Sequence, residues 1–381
     1  MKLLYIVPSI NNEGGVARVL SIKANYLVDN FGHEVHILTQ NNGNFPLFYS
    51  FSDRIRLHDM ILNGNKLNFL WQYKKALFTI CKEINPDLIL VLDNGLKGYL
   101  TPLLLGKKIP IIFEIHGSKF IEESEIRNSS IFKSVLSVKY RYKDFCIKKF
   151  NKVVFLSEAS FLEWKLNNGV IIPNPLWFSN EKRASLTAKS AIAVGSHSHE
   201  KGLARLLLIW KKVVEIYPEW TLTIYGKAKD NFNLKQLASD LHVSNVVFCT
   251  AVANIDQKYL EASICLNTSR FEGFGMVLIE AMASGLPCIA YDCPCGPRSI
   301  IRNNKNGFLI ENGNEDSFVR AIGTIIENKN LRMEMGKLAK EDSSKYNVNT
   351  ILQTWNAFFM EILADRNRFL NKKKRQNFFS L

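Results

Sequence analysis

The sequence lacks the features that would anchor it in a bilayer or cross-link it with disulfides. No apolar run approaches the roughly 20 residues that span a membrane, because Asp, Lys, Gly or Pro interrupts the longest runs. The seven cysteines are scattered, and their odd number favours reduced thiols in a cytosolic protein. Only Cys293 and Cys295 are close together, and their spacing is too short for a zinc knuckle. Any membrane contact is therefore expected to be peripheral.

Motifs for a bound metal, a dinucleotide or a nucleic acid are also missing from the sequence. No Asp-x-Asp pair occurs that would hold a divalent cation on a diphosphate, so we expect no metal requirement. No third glycine follows Gly14-Gly15 at the dinucleotide-binding spacing. The 49 Lys and Arg exceed the 35 Asp and Glu, and the net charge of +14 favours anionic partners. Without a zinc finger, an RNP-type motif or a glycine-arginine tract, this charge does not predict nucleic-acid binding.

Short β-branched runs alternate with longer amphipathic stretches along most of the 381 residues. This pattern predicts βα units around parallel sheets, and hence an α/β fold in roughly two domains. We predict the first strand in the uncleaved segment at the N-terminus. The predicted strands lie at 3–7, 34–38, 88–92, 109–114, 153–156, 170–172, 191–194, 221–225, 246–249, 264–267, 288–291 and 307–310. Two doubly wound sheets in tandem are the simplest account of this series.

The domain boundaries follow from where the pattern lapses. The segment from Asn174 to Lys189 is polar and aperiodic, which is typical of a linker. We therefore predict one domain over residues 1–178 and a second over residues 190–348. Residues 349–381 are predicted to form a C-terminal helix, at about Thr350 to Ala364, followed by a basic tail. This helix has an apolar face and is expected to pack back on the N-terminal domain.

The segment from Ser269 to Pro297 is the most informative part of the sequence. Glu272-Gly273-Phe274-Gly275 forms a turn after a strand, and a helix is predicted to begin at about Met276. A helix that starts after a glycine turn presents free backbone N–H groups and a positive dipole end, which bind phosphate. Glu280 lies one turn into this helix among apolar neighbours, so we expect it to be partly buried and near sugar hydroxyls.

These residues resemble the Glu-x7-Glu motif of the family 4 retaining glycosyltransferases, and the resemblance covers nearly the whole chain. The resemblance implies the GT-B fold, in which two facing Rossmann-like domains enclose a cleft. The N-terminal domain of the family binds the acceptor and the C-terminal domain binds a nucleotide sugar. The family pattern assigns Glu280 to the donor ribose and Glu272 to the transferred sugar and to catalysis. The donor is assigned to the segment that comprises Gly273, Phe274, Gly275, Met276, Val277 and Leu278, and its diphosphate to the backbone amides from Gly275 to Leu278.

Further elements of the family pattern occur in the expected order. Gly14-Gly15 follows the first strand and is assigned to the acceptor side, and Gly15 also to the donor. His116, in His116-Gly117, is assigned to catalysis on the sugar and acceptor side of the cleft. Lys201, in Glu200-Lys201-Gly202, matches the catalytic lysine that contacts the donor diphosphate.

The sequence departs from the family pattern at one donor-binding position. Gly195-Ser196-His197 stands where the family usually has Gly-Arg-Leu, so a phosphate-binding arginine is missing. Ser196 then occupies the donor-binding position itself. The candidates to replace the arginine are His197, His199 and Arg205, and the residues alone do not decide among them.

The resemblance implies an enzyme that transfers a hexosyl group with retention of anomeric configuration. The expected donor is a nucleotide sugar, most simply a UDP-sugar, with no cofactor and no metal. The expected acceptor is a hydroxyl of a glycan or of a polyisoprenoid-linked saccharide, as in the synthesis of bacterial lipopolysaccharide or capsule. The alternatives are a related nucleotide-sugar epimerase and, from another class, a basic nucleic-acid-binding protein.

Two basic and aromatic segments suggest contact with an anionic membrane surface, and hence a cytoplasmic enzyme at the inner face of the membrane. The first segment runs from Phe132 to Lys152. It contains Lys133, Lys139, Tyr140, Arg141, Tyr142, Lys143, Phe145, Lys148, Lys149 and Phe150. The second closes the chain and contains Arg366, Arg368, Phe369, Lys372, Lys373, Lys374, Arg375, Phe378 and Phe379. A solvated helix face and a plain basic tail are the alternative interpretation.

Overall fold

The computed structural model of the chain describes residues 1–43, 45–120, 130–178, 181–228 and 232–378. The side chains at 66–67, 130–133 and 369–378 lie outside this description, as do residues 379–381. The parts of the two basic segments that fall there, Phe132, Lys133 and the tail from Phe369 onward, therefore stay as sequence predictions.

The N-terminal half contains a seven-stranded parallel sheet with the strand order β3-β2-β1-β4-β5-β6-β7. Its strands are β1 (Lys2–Ile6), β2 (Glu34–Gln40), β3 (Arg56–Met60), β4 (Leu88–Val91), β5 (Ile111–Ile115), β6 (Lys152–Phe155) and β7 (Gly169–Ile171). The helices between them are α1 (Gly15–Phe31), α2 (Lys66–Ile84), α3 (Leu96–Leu105), α4 (Ser130–Ile147) and α5 (Glu158–Trp164). The central strands β4 and β5 are buried at every residue because helices cover both faces of a parallel sheet.

The C-terminal half contains a six-stranded parallel sheet with the order β10-β9-β8-β11-β12-β13. Its strands are β8 (Ser190–Val194), β9 (Thr221–Tyr225), β10 (Val246–Cys249), β11 (Ile264–Asn267), β12 (Cys288–Asp292) and β13 (Gly307–Glu311). Its helices are α6 (Leu203–Ile216), α7 (Leu234–Asp240), α8 (Ile255–Leu260), α9 (Met276–Ala283), α10 (Glu315–Glu327) and α11 (Lys329–Ser343). The predicted α/β class with two doubly wound sheets is confirmed.

In both sheets the strand order reverses beside the first strand of the half, between β1 and β4 and between β8 and β11. Ligands of open α/β sheets bind at such switch points, outside the carboxyl ends of the strands. The loops after β1, β4 and β5 meet at the carboxyl edge of the first sheet. The loops after β8 and β11 meet at the corresponding edge of the second. These two edges are therefore where a site is expected.

The last helix, α12 (Val348–Phe378), belongs to the N-terminal half by packing although it ends the chain. Trp355 and Phe359 are almost fully buried in the same hydrophobic core as Leu3, Tyr5 and Leu20. The helix begins and ends beyond the predicted limits of about 350 and 364, so that prediction was too short. Its charged residues after Ala364 gave no apolar repeat from which the extension could be read.

Candidate active site

Helix α9 starts from a backbone geometry that only glycine adopts easily. Gly275 precedes the helix with φ 104° and ψ 51°, in the left-handed region where a Cβ atom is strained. The amide of Leu278 donates to the Gly275 carbonyl at 2.9 Å. Earlier amides of a first turn, here those of Met276 and Val277, have no intrahelical acceptor. The helix start therefore offers an anion two N–H groups and the positive end of its dipole.

Glu272 and Lys201 form an ion pair in front of this helix start. The Glu272 Oε1 atom accepts from the Lys201 Nζ atom at 2.8 Å and from the Ser269 hydroxyl at 2.6 Å. Burial alone would raise the pKa of Glu272, but Lys201 and these hydrogen bonds outweigh burial and hold the pKa below its usual value. The site therefore contains an ionised carboxylate and a half-buried ammonium group in contact.

Glu280 is buried inside α9 and is held by two aromatic side chains from other elements. The Trp177 indole N–H donates to its Oε1 atom at 2.9 Å, and the Tyr259 hydroxyl donates to its Oε2 atom at 3.1 Å. Burial raises the pKa of Glu280, and Arg18 and these two donors only partly oppose the rise. Each carboxylate oxygen accepts about two hydrogen bonds, so Glu280 retains capacity for two hydroxyl groups of a ligand.

Arg18 of α1 reaches from the N-terminal half to this region. Its guanidinium lies 4.3 Å from the ring centre of Tyr49 and 4.0 Å from that of Trp177. It also donates to the backbone carbonyl of Ala253 at 3.4 Å. Arg18 thus connects the two halves of the chain beside Glu280 through a cation stacked between two aromatic rings.

His116 lies in the wall of a cavity of about 430 Å³ at the carboxyl edge of the N-terminal sheet. Gly14 and Gly15 line the same cavity, as do Lys119 and Lys143. The cavity therefore lies at the edge where open α/β sheets bind their ligands. The structure therefore brings together all three residues that the sequence assigned to the acceptor side.

The two halves meet at Gly273 and His116. A Cβ atom added to Gly273 would lie 1.9 Å from the backbone oxygen of His116, so only glycine permits this approach. The predicted sugar-side histidine is thereby placed against the turn that carries Glu272 and leads into α9. The turn that carries Glu272 and the backbone of His116 are therefore in close contact.

Arg205 does not replace the arginine that is missing at Ser196. Its guanidinium donates to the carbonyls of Thr268 and Ser269 at 2.6 Å each and to Asn312 at 2.8 Å. These bonds hold the chain that follows β11. The Ser196 hydroxyl lies 3.5 Å from the Ser198 hydroxyl, and the Ser196 carbonyl accepts from the Ser198 amide at 2.8 Å.

His197 lines a second cavity, of about 540 Å³, beside the Ser196 position. Burial, and secondarily Lys235, lowers the pKa of His197, so its ring is neutral near pH 7. Neither His197 nor Arg205 therefore supplies the missing phosphate charge. Lys227 and Lys235 line this cavity as well and keep it basic.

The described residues contain neither a cluster of metal ligands nor a helix that could span a membrane. Within those residues, no group of three or more His, Cys, Asp and Glu side chains could hold a metal ion. Over the same part of the chain, no helix combines the length and the apolar character needed to cross a bilayer. Cys293 and Cys295 are buried free thiols, and burial, followed by neighbouring carboxylates, raises the pKa of each.

Two facing parallel sheets with acidic, basic and imidazole side chains at their joined carboxyl edges define a GT-B-type sugar-transferring enzyme. The family described as "Glycosyl transferases group 1" matches residues 178–342, and that described as "Glycosyl transferase 4-like" matches residues 17–150. The chain belongs to these family 4-type glycosyltransferases.

Two curated relatives match over almost their whole length. An uncharacterized glycosyltransferase of Haemophilus influenzae is 28% identical over 366 residues, which are 93% of this chain and 98% of the relative. The amylovoran biosynthesis glycosyltransferase AmsD of Erwinia amylovora is 26% identical over 367 residues, with the same coverage of 93% and 98%. The protein is accordingly a glycosyltransferase.

Solved structures share the fold. Sucrose-phosphate synthase of Thermosynechococcus elongatus has a TM-score of 0.79 at 17% identity and covers 96% of this chain and 99% of its own. Anabaena HepE, solved in complex with UDP, has a TM-score of 0.73 at 20% identity and covers 95% and 100%. At these identities the likeness establishes the GT-B architecture.

Sequence reasoning missed three side chains of the site, namely Arg18, Trp177 and Tyr259. Arg18 follows the Gly14-Gly15 turn by three residues, and that spacing was a usable signal. Trp177 stands in the linker, which was predicted to be polar and aperiodic. A large aromatic side chain in such a segment was the available clue. Tyr259 lies in α8, and nothing in its local sequence indicates that its hydroxyl reaches Glu280.

Proposed function

We propose that the protein transfers a sugar from a UDP-sugar to a hydroxyl of a glycan or of a lipid-linked saccharide, with retention of anomeric configuration and without a metal. The observation that carries the proposal is the Glu272–Lys201 pair, at 2.8 Å, in front of the α9 start and opposite His116. An ammonium and a helix N-terminus suit the departing diphosphate, and a carboxylate suits the hydroxyls of the transferred sugar.

The roles follow from the position of each group. The diphosphate lies at the amides of Met276 and Val277, with Lys201 neutralising its charge as the glycosidic bond breaks. Glu280 accepts the ribose hydroxyls. Glu272, freed from part of its interaction with Lys201, accepts hydrogen bonds from the transferred sugar. His116 lies on the sugar and acceptor side, where the 430 Å³ cavity gives room for the acceptor.

The choice of donor and acceptor is supported by what similar proteins are named for. Anabaena HepE has been solved with UDP and glucose, and the pneumococcal O-GlcNAc transferase GtfA with UDP and GlcNAc. AmsD acts in amylovoran biosynthesis, and a relative from Bacillus subtilis is a poly(glycerol-phosphate) alpha-glucosyltransferase. A UDP-sugar and a surface-polysaccharide acceptor are therefore the substrates we propose first.

Retention requires that the acceptor hydroxyl approach from the face that the diphosphate leaves. The match of Glu272 and Glu280 to the Glu-x7-Glu motif of the family 4 retaining enzymes supports this course. Positioning of both substrates by the two domains then supplies much of the rate enhancement. No enzymic nucleophile is needed for this course.

The experiment is a screen of nucleotide sugars for release of nucleoside diphosphate in the presence of glycan acceptors, in excess EDTA. We expect turnover with a UDP-sugar and a product whose NMR spectrum shows the anomeric configuration of the donor. Inversion would contradict the retaining course. Complete inhibition by EDTA that Mg²⁺ or Mn²⁺ reverses would contradict the metal-free site.

We propose further that the enzyme works at the inner face of the cytoplasmic membrane. On α4 the large apolar side chains of Val135, Val138 and Phe145 are 58%, 67% and 56% exposed and lie on one side of the helix. Lys148 and Lys149 are exposed nearby. Lys143 and Phe150 are buried and therefore do not form part of the predicted basic surface. This exposed side of α4 supports peripheral binding close to the acceptor cavity.

A further inference from the structure

Glu114 on β5 is a buried charge directly behind the acceptor cavity, and the proposed roles do not use it. Its side chain has no exposure, and its Oε2 atom lies 2.7 Å from the Lys23 Nζ atom and 3.5 Å from the His116 Nε2 atom. The His116 side chain is only 7% exposed. Glu114 therefore lies between a buried lysine and the histidine that lines the cavity.

The cluster is rigid. The Asn94 side chain donates to the Glu114 carbonyl at 2.9 Å and accepts from the His116 amide at 3.0 Å. The Lys23 ammonium lies 3.5 Å from the centre of the Trp355 ring in α12. Backbone, lysine and C-terminal helix thus fix the position of the Glu114 carboxylate.

Glu114 is ionised in this environment. Burial would raise its pKa, but the positive charge of Lys23 and the contact with His116 outweigh burial and lower the pKa. A buried ion pair is retained at a desolvation cost that apolar residues would avoid. A role beyond packing explains why such a pair lies beside the site.

Hydrogen-bonding capacity in the cluster is incompletely used. Among the residues that the structure describes, the Glu114 Oε1 atom, the His116 Nε2 atom and the Tyr5 hydroxyl are buried without a hydrogen-bond partner. Buried polar atoms normally find partners, and catalytic contacts are often long before substrates bind. A small turn of the imidazole ring would bring Nε2 into hydrogen-bond distance of Glu114, its nearest acidic neighbour.

We infer that Glu114 is a positioning residue for His116, holding the imidazole proton on Nε2 so that Nδ1 accepts a hydrogen bond from a substrate hydroxyl in the cleft. Lys23, with Trp355 above it, holds the carboxylate in place for this task. The inference about the substrate hydroxyl depends on the proposed glycosyl transfer. The assignment of the proton to Nε2 does not depend on it.

The first test is nitrogen-15 NMR of histidine-labelled protein, with the His116 signals assigned by comparison with His116→Ala. We expect the wild-type His116 ring to carry its proton on Nε2. In Lys23→Met/Glu114→Leu, where an apolar pair replaces the ion pair and keeps the fold, the Nδ1-protonated form should become populated. Protonation of Nδ1 in the wild type, or an unchanged ring in this variant, would overturn the inference.

The second test is a double-mutant cycle on transfer kinetics with Glu114→Gln and His116→Ala. We expect Glu114→Gln to lower kcat at least about tenfold, with UDP affinity unchanged, because the hydrogen bond involves a charged group. In the His116→Ala background the same change should alter kcat by less than about twofold. Equal losses in both backgrounds would show that Glu114 acts independently of His116. A wild type that turns over no nucleotide sugar would refute the proposed function, while the NMR result would still decide the proton assignment.

Discussion

Two carboxylates eight residues apart, Glu272 and Glu280, occupy opposite electrostatic environments although both are buried. Lys201 holds the pKa of Glu272 down, whereas burial raises the pKa of Glu280 with only partial compensation. Environments that separate two carboxyl groups in this way are typical of sites where the groups have different tasks. In the proposed roles Glu272 faces the reacting sugar and Glu280 binds neutral ribose hydroxyls.

Replacement of Glu280 by Ala should weaken UDP binding at least about tenfold, because a hydrogen bond to a buried charged group contributes about 1.5–3 kcal/mol. The change also leaves the Trp177 and Tyr259 donors without their acceptor. Isothermal titration calorimetry with UDP measures the effect, and Glu334→Ala, at an exposed position of α11, is the matched control. Unchanged affinity in a folded variant would remove Glu280 from the donor site.

Replacement of Glu272 by Gln should lower transfer but leave UDP binding intact, because the role proposed for Glu272 is to contact the sugar and not the nucleotide. The variant also tests the ion pair through pH. Since the folded pKa of Glu272 is lowered, its stabilising effect is present above the ordinary carboxyl range and is lost as the pH falls through the folded pKa. The stability difference between wild type and variant should therefore shrink in acid. A parallel loss of UDP binding and transfer would contradict this division of roles.

For single residues, the sequence indicated the candidate site side chains better than the side chains that they contact. Glu272, Glu280, Lys201 and His116 stand in a recognisable order along the chain. The Lys201–Glu272 contact joins positions 71 residues apart, and the Trp177–Glu280 contact joins positions 103 apart. Such contacts depend on how elements far apart in the chain fold together, which no local pattern encodes.

Helix α9 carries the proposed diphosphate site, and the residue that precedes the helix has a backbone conformation that favours glycine. Replacing Gly275, at φ 104°, by Ala should cost about 1–2 kcal/mol of stability from backbone strain and should also weaken UDP binding by displacing the first-turn amides. Gly313, at φ 94° with open space around it, is a matched control for strain alone. Thermal melting and calorimetry separate the two effects. Equal UDP affinity in both variants would contradict an anion site at α9.

Among the elements, the apolar parallel strands were predictable from the sequence, but the polar edge strand of the N-terminal sheet was not. Strand β3 was missed because four of its five residues are not buried, so an edge position gave no hydrophobic run. The start of α9 was predicted at the right residue because the glycine turn and the apolar run that follows are both local signals. The full length of α12 was not predicted, because the last turns of the helix carry no apolar repeat.

On the scale of the whole molecule, the exposed side of α4 and the basic tail of the sequence make up the proposed membrane-binding surface. We expect co-sedimentation with anionic vesicles that weakens as salt rises, since each basic residue near such a surface contributes roughly 1 kcal/mol. Val138→Glu/Phe145→Glu should reduce binding, and Val247→Glu, on β10 of the other half, is the control.

A chain truncated after Asp365 tests the tail in the same assay. The truncation keeps the part of α12 that packs in the core, which extends to Ile362 and Leu363. It should therefore bind the vesicles less well while remaining folded. Equal recovery from neutral and anionic vesicles, or no binding at low salt, would contradict the membrane surface.

The docking of the two halves makes one site from two sheets, and the central claim is that this site transfers sugar from a nucleotide donor. The most direct measurement is release of nucleoside diphosphate from a panel of nucleotide sugars, with the glycosylated acceptor detected by mass spectrometry, for the wild type and for Glu280→Ala. We predict acceptor-dependent release from one donor class in the wild type and at least about tenfold less in the variant. Release that needs no acceptor and forms no glycosylated product, or equal rates in both proteins, would contradict the account.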